Sequence, residues 1–376
     1  MIVIADDITG AAEIAGIAYS QGQQVRLVCG GSLCCNTVAA YGTDGTNWAD
    51  GTTVIATDTR SMTEADAIAE THRMAAAFGL PEGNTPFHLF KKTDSALRGH
   101  VVAELTALME ATGYQRAVYL PANPSKGRVI RNGIYYINDV PIHETAFSYD
   151  PEFPAKTSVL KERFPEAVSH QIMMPDAESG ADIRRVIARY DDGHTLFAGA
   201  ADLFTEWLES SLVPRPSSSI ARRSSLAPRP SPLASHNTLV LCGSTQSKPL
   251  DLGIPVAAMP RAVYDGSHDL TLWDTSAYKE THSLILTMPY THRTGKEAAV
   301  HLRTVMAQKT MVLVAQHRPD HLIIEGGATA WATLQALGWT QFQIVRQIAP
   351  GVVQMSATND TLVTLKPGSY PWGNLF

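Results

Sequence analysis

Short runs of β-branched and apolar residues recur along the chain, each closed by a polar loop and followed by a stretch whose apolar residues have helical spacing. That alternation is the signature of βα units, which build mainly parallel sheets with helices against their faces. Strands are expected at 2–5, 24–29, 53–57, 87–90, 117–120, 171–174 and 195–198, and again at 238–242, 284–286, 321–324, 343–348 and 361–366. Helices are expected over 11–21, 63–78, 101–111, 181–190, 201–211, 296–316 and 328–336. Thr63-Glu64-Ala65-Asp66 reads as a capped helix start, with acidic residues where the helix dipole favours them.

The alternation breaks once, at 213–237, where VPRPSSSIARRSSLAPRPSPLASHN is rich in Pro, Ser and Arg and lacks apolar periodicity. So long an aperiodic run is foreign to the interior of a compact domain and reads as a linker or crossover. With 376 residues there is chain enough for two domains. The expected organisation is α/β throughout: a domain over 1–213, a linker over 214–235 and a second domain over 236–376, each a mainly parallel sheet flanked by helices, with the active site in the cleft between them.

Lys and Arg number 30 against 36 Asp and Glu, a net charge of −6, so there is no basic footprint for nucleic acid or an anionic membrane. Asp6 and Asp7 end the first apolar run before a signal-peptide core develops, and no stretch approaches the ~20 apolar residues of a membrane span. Cys29, Cys34, Cys35 and Cys242 are too few for a disulfide framework and form no Cys-x-x-Cys pair; the adjacent Cys34 and Cys35 read as small apolar residues. A reducing, cytoplasmic setting is expected, with small molecules as partners; oligomeric state is left open, a homodimer included.

In open parallel sheets ligands gather beyond the carboxyl ends of the strands. The first such loop, Asp6-Asp7-Ile8-Thr9-Gly10, repels a bare phosphate but suits polyol hydroxyls, a Mg²⁺ ion or proton abstraction from an alcohol, while a single Asp there would also serve as a helix cap. Arg60 lies in the loop after the third run. Lys91-Lys92-Thr93-Asp94-Ser95-Ala96-Leu97-Arg98-Gly99 places three cations, a carboxylate and a hydroxyl after the fourth, and Arg98 has the fork geometry to grip a carboxylate. The Pro- and Gly-rich loop 121–128 adds Asn123, Lys126 and Arg128.

The second half carries small and hydroxyl residues at its strand ends. Gly243-Ser244-Thr245-Gln246 follows one strand, and Glu325-Gly326-Gly327-Ala328-Thr329 follows another and opens a helix, where free backbone N–H groups suit phosphate. No Gly-x-x-x-x-Gly-Lys-Ser/Thr loop, strand-linked Gly-x-Gly-x-x-Gly, Gly-x-Ser-x-Gly elbow or zinc spacing is present. P-loop enzymes, ordinary Rossmann dehydrogenases and α/β-hydrolases are therefore disfavoured.

Ile4-Ala5-Asp6-Asp7-Ile8-Thr9-Gly10-Ala11, Lys92-Thr93-Asp94-Ser95-Ala96-Leu97-Arg98-Gly99, the 121–128 loop and Glu325-Gly326-Gly327-Ala328-Thr329 together closely resemble the four-carbon acid sugar kinase family, in order along nearly the whole chain. The resemblance implies an N-terminal sugar-acid-binding domain, a C-terminal nucleotide-binding domain, and ATP- and Mg²⁺-dependent phosphorylation of the terminal hydroxyl of threonate, erythronate or 3-oxo-tetronate. It implies ATP contacts at Ser244, Gly326, Gly327, Ala328, Thr329 and Gly368, and an acid-sugar side at Asp6, Asp7, Lys92, Asp94, Ser95 and Arg98. On that reading Asp6 or Asp7, then Asp94, is the expected base, Arg98 holds the substrate carboxylate and Lys92 screens the γ-phosphate. The chain departs from the family pattern at Ala96, at Ala328 and in the 369–373 loop. The competing readings are an oxidoreductase with an atypical dinucleotide site, marked by NAD(P) binding, and a sugar-acid sensor, marked by tetronate binding without ATP turnover.

Overall fold

The computed structural model describes residues 1–30, 51–77, 88–150, 152–211, 237–244, 250–288, 295–368, 370–372 and 375. Cys34, Cys35, Thr245, Gln246 and the 214–235 linker lie outside the described residues.

In chain order the first half forms β1 (Ile2–Ala5), α1 (Ile8–Ser20), β2 (Gln24–Cys29), β3 (Gly51–Ala56), α2 (Glu64–Ala77), β4 (Leu89–Lys92), α3 (Val101–Thr112), β5 (Arg116–Leu120), β6 (Arg128–Arg131), β7 (Ile134–Ile137), β8 (Val140–Pro141), α4 (Leu160–Arg163), β9 (Ile172–Met173), α5 (Gly180–Tyr190), β10 (Thr195–Gly199) and α6 (Ala201–Ser211). The second half forms β11 (Thr238–Cys242), β12 (Val256–Ala258), α7 (Arg261–Asp265), α8 (Ala277–Thr281), β13 (Ser283–Thr287), α9 (Lys296–His317), β14 (His321–Glu325), α10 (Gly327–Leu337), β15 (Gln341–Ala349), β16 (Val352–Ala357) and β17 (Leu362–Lys366). The chain divides into two compact units, residues 1–14 with 33–218 and residues 15–32 with 219–376.

In the N-terminal unit six strands run parallel in the order β3-β1-β4-β10-β5-β9. Their register aligns the carboxyl ends, with Ala5 opposite both Ala56 and Lys92, and Lys92 opposite Gly199. Near-continuous apolar strands such as Ile2-Val3-Ile4-Ala5 and Ala117-Val118-Tyr119-Leu120 fit a sheet covered on both faces. Phe90, Phe197, Phe204 and Trp207 pack edge-on or tilted within this core. The Thr63 hydroxyl oxygen accepts from the Asp66 backbone N–H at 3.2 Å and fixes the start of α2, as its sequence suggests.

Directly after the 121–128 loop, where no element is expected from the sequence, the chain forms a small antiparallel sheet, β6-β7-β8. Two-residue turns join it: Asn132 and Gly133 have φ of 51° and 72°, and Asn138 and Asp139 have φ of 48° and 62°. Positive φ at both turn positions matches the right-handed twist of the flanking strands, and Asn-Gly is the sequence pair best suited to it.

In the C-terminal unit β12-β13-β11-β14-β17 run parallel, and β17-β16-β15-β2 continue antiparallel. The antiparallel part arises because the links at Pro350-Gly351 and 358–361 are too short for a crossover helix. β2 pairs with β15, so the strand expected with the N-terminal sheet belongs to this unit.

Candidate active site

In the N-terminal unit the carboxyl ends of β1, β3, β4 and β5 deliver one charged cluster. Asp6 and Asp7 follow β1, Arg60 rides on a 3₁₀ turn (Thr59–Ser61) after β3, and Lys92, Asp94, Ser95 and Arg98 come from β4 and its loop. The Arg60 backbone N–H donates to the Asp6 carbonyl at 3.2 Å, clipping the turn to β1. Its guanidinium is the hub: Nε reaches Asp6 Oδ2 at 3.0 Å, Nη2 reaches Asp6 Oδ1 at 2.7 Å and Asp7 Oδ1 at 3.0 Å, and Nη1 lies 3.8 Å from Asp94 Oδ1.

Arg98 and Asp94 form a second two-pronged pair, Nε to Oδ2 at 2.9 Å and Nη2 to Oδ1 at 3.0 Å, and Asp94 Oδ2 also accepts from the Ala96 N–H at 2.9 Å. The fork expected to hold a substrate carboxylate is therefore occupied by Asp94. Lys92 Nζ donates to the Thr93 carbonyl at 3.0 Å and lies 3.7 Å from Glu13. Lys126 joins through the same Glu13, and Arg128 donates to the Ser95 hydroxyl. Asn123 is turned elsewhere: it is buried, and its Oδ1 accepts from the Asp202 N–H at 3.2 Å at the start of α6.

Glycine makes the convergence of Asp7 and Lys92 possible. A Cβ at Gly10 would come within 2.6 Å of Asp7 Oδ1 and 3.1 Å of Lys92 Nζ, so both functional atoms stand directly over this backbone. Gly99, at φ 97°, would bring a Cβ to 3.3 Å from Asp6 Oδ2.

The three aspartates differ. Burial pushes the Asp6 carboxyl up, and the Arg60 charge only partly offsets it. Burial pushes Asp7 up as well, but Arg60, Lys92, the Thr9 hydroxyl and the Gly10 N–H together outweigh it and hold Asp7 below the usual carboxylate range. Burial acts likewise on Asp94, yet Arg60, Arg98 and Lys92 hold it far below that range.

Several participants escape a reading by strand ends. Glu13 is the sole charged residue of α1, ITGAAEIAGIAYS, an isolation that marks it in retrospect. Glu104 on α3 is buried, pairs with Lys91 and accepts from the Thr59 hydroxyl at 2.8 Å, beneath the turn that carries Arg60. Asp150 stands 3.7 Å from Arg98, and Phe147 lies beneath both Arg98 and Arg128, 5.9 and 5.7 Å from ring centre to guanidinium carbon.

The C-terminal unit has a cradle of different chemistry at the ends of β11, β14 and β17. A Cβ at Gly243 would meet Thr329 Oγ1 at 2.1 Å, and one at Gly368 would meet Ser244 Oγ at 2.3 Å. Gly326 precedes α10 with φ 98° and donates its N–H to the Lys366 carbonyl at 2.9 Å. Gly326, Gly327, Ala328 and Thr329 thus open a helix whose first N–H groups have no intrahelical acceptor. Buried Lys366 pairs with Glu325 at 2.6 Å, donates to the Pro367 and Gly368 carbonyls and lies 4.8 Å from the Trp372 ring centre. These close approaches suit a phosphate-bearing ligand held by backbone. Among the described residues no group of three or more His, Cys, Asp or Glu is placed to hold a metal ion, and no helix is long and apolar enough to cross a membrane.

An α/β unit with a charged cluster at its strand ends is thus followed in the chain by a unit with a glycine cradle at its own parallel strand ends. Residues 1–203 match the model of a sugar-binding N-terminal domain, and residues 256–370 that of a nucleotide-binding C-terminal domain. The chain belongs to the four-carbon acid sugar kinase family. It is 33% identical over 186 residues to a D-threonate kinase of Salmonella typhimurium, which covers 49% of this chain and 40% of that protein. A 3-oxo-tetronate kinase of Burkholderia multivorans is 26% identical over 413 residues, 98% of this chain and 93% of the relative. The chain matches less than half the length of the threonate kinases, 40% in Salmonella and 43% in Bordetella bronchiseptica. The fold matches a crystal structure described as a putative tRNA synthase of Salmonella typhimurium, with a TM-score of 0.70 at 19% identity over 100% of this chain and 97% of that one.

Proposed function

We propose that the protein is an ATP-dependent kinase that phosphorylates the terminal (C4) hydroxyl of a four-carbon acid sugar, threonate, erythronate or 3-oxo-tetronate, in cytoplasmic carbohydrate catabolism. The observation that carries this reading is the convergence of Asp7 and Lys92 over Gly10. Phosphoryl transfer asks for an acceptor that orients the attacking hydroxyl and for a cation beside the charge that moves. Asp7 is the carboxylate for the first task. Both Asp6 oxygens are gripped by Arg60, and both Asp94 oxygens by Arg98, whereas Asp7 shares one oxygen between Arg60 and Gly10 and offers the other to the Thr9 hydroxyl. An ionised Asp7 accepts the hydroxyl hydrogen bond and takes the proton late, as the P–O bond forms. Lys92 supplies the cation.

Residues 1–213 then bind the acid and residues 236–376 the nucleotide, with 214–235 joining them. The glycine cradle supports the second assignment: Ser244, Gly326, Gly327, Ala328, Thr329 and Gly368 would hold ATP, which supplies the phosphoryl group. Mg²⁺ in such sites is held largely by phosphates with one or two carboxylates, so no all-protein cage is required.

The test is ADP release from purified protein with Mg-ATP and a panel of D- and L-threonate, D- and L-erythronate and the 3-oxo-tetronates. Turnover of at least one acid, with phosphate on C4 by ³¹P–¹H correlation, is expected. A folded protein that binds ATP and turns over none of them overturns the reading.

A further inference from the structure

Every cation of the N-terminal cluster has a carboxylate partner except one. Arg60 holds Asp6 and Asp7, Arg98 holds Asp94 and lies near Asp150, and Lys92 and Lys126 share Glu13. Among the described residues Arg128 has no carboxylate beside it. One Nη donates to the Ser95 hydroxyl and the guanidinium lies over Phe147, which leaves the rest of its fork for another acceptor.

The surroundings hold Arg128 in place. Its backbone N–H donates to the Asn123 carbonyl at 3.1 Å and its carbonyl accepts from the Asn123 N–H at 2.7 Å, closing the 123–128 loop. Asn123 and Ser125 tie that loop to Asp202, and Gly127, at φ 65°, passes so near Asn138 that a Cβ would lie 2.1 Å from its Oδ1. The ordering cost of the Arg128 backbone is thus met before any ligand arrives.

Resting on the kinase reading, we propose that Arg128 is the residue that reads the substrate's carboxylate, and that the acid lies along the cluster with C1 at Arg128 and C4 at Asp7 and Lys92. The contacts run continuously from Asp7 through Arg60 and Asp94 to Ser95 and Arg128. An anion is repelled at the Asp6–Asp7 end and attracted at the Arg128 end, so this orientation puts the neutral hydroxyl where the carboxylates are. Arg60 and Arg98 contribute by holding those carboxylates, and binding the substrate anion on either would expose a buried carboxylate without its partner. Phe147 closes one face of the Arg128 guanidinium, which strengthens the pair by excluding water.

The test compares each acid that the wild-type protein turns over with its C1 carboxamide, in which the hydroxyls are kept and the charge is lost. Dissociation constants are read by calorimetry, with KM and kcat by ADP release. Wild-type protein is expected to prefer acid over amide by about 10- to 100-fold. Arg128→Ala should abolish that preference, with KM for the acid rising far more than kcat falls and KM for ATP unchanged. Arg128→Lys, which keeps charge without the fork, should fall between and guards against a folding defect in the first variant. An unchanged acid-over-amide ratio in Arg128→Ala, or no preference in the wild-type protein, overturns the assignment while leaving the kinase reading intact. No acid turned over by the wild-type protein fails both.

Discussion

Asp94 and Arg98, four residues apart in a loop rather than on a helix, hold each other through two parallel hydrogen bonds of 2.9 and 3.0 Å. Arg60, this pair and Lys92 together keep Asp94 ionised although it is only 8% exposed. Burial pushes its carboxyl up, but Arg60, Arg98 and Lys92 outweigh that and hold it far below the usual carboxylate range, so the native state binds fewer protons than the unfolded chain between the folded and unfolded pKa values. The stability this contributes is fully present above pH ~4 and is lost as pH falls through the folded value. Asp94→Asn should therefore unfold with a shallower dependence on pH below ~4 than the wild-type protein, in urea titrations at stepped pH.

Gly10→Ala places a methyl where Asp7 and Lys92 meet. Displacing two reacting groups by a fraction of an ångström costs on the order of 10²-fold in rate. We expect kcat to fall by about that factor with a melting temperature close to wild type, because alanine otherwise favours the helix. A kcat within twofold of wild type would dissociate Gly10 from the chemistry.

Lys91 and Glu104 are 1% exposed each. Lys91→Met leaves a buried carboxylate without its cation and should cost about 3–5 kcal/mol in denaturant unfolding. Adding Glu104→Gln removes the stranded charge while keeping an acceptor for the Thr59 hydroxyl, so the double variant should be more stable than Lys91→Met alone. A double variant less stable than the single would show that the Glu104 charge is compensated by something other than Lys91.

Gly368→Ala drives a Cβ against Ser244 Oγ. KM for ATP should rise roughly tenfold, the worth of one or two backbone contacts, with kcat much less affected. Initial rates against ATP concentration at saturating acid give both values.

Much of this was legible in the residues. Apolar runs closed by charged loops located the parallel strands and hence the ends where Asp6, Arg60, Asp94 and Arg98 meet, because a parallel sheet leaves its loops nowhere else to converge. What was hidden depends on distance in space. Nothing local to Arg98 reveals that Asp94 occupies its fork, and nothing local to Glu104 reveals Lys91. The β6–β8 sheet had its Asn132-Gly133 signal in plain view, but the density of Pro and Gly just before it reads more readily as irregular loop. β2 fits a parallel strand by pattern, and only its pairing with β15 places it in the other unit.

Lys91 and Lys92 are neighbours in one strand, yet alternation sends one to Glu104 on α3 and the other to Glu13 on α1. The two lysines are identical as chemistry and are told apart only by the pairing of β4 with β1 and β10. Sliding β4 by a single residue would exchange the lysine that pairs with Glu104 with the lysine that stands beside Asp7 over Gly10. Strand register in this sheet thus decides which lysine joins the charged cluster at the strand ends, and insertions or deletions in β4 should be tolerated far less than substitutions at exposed positions.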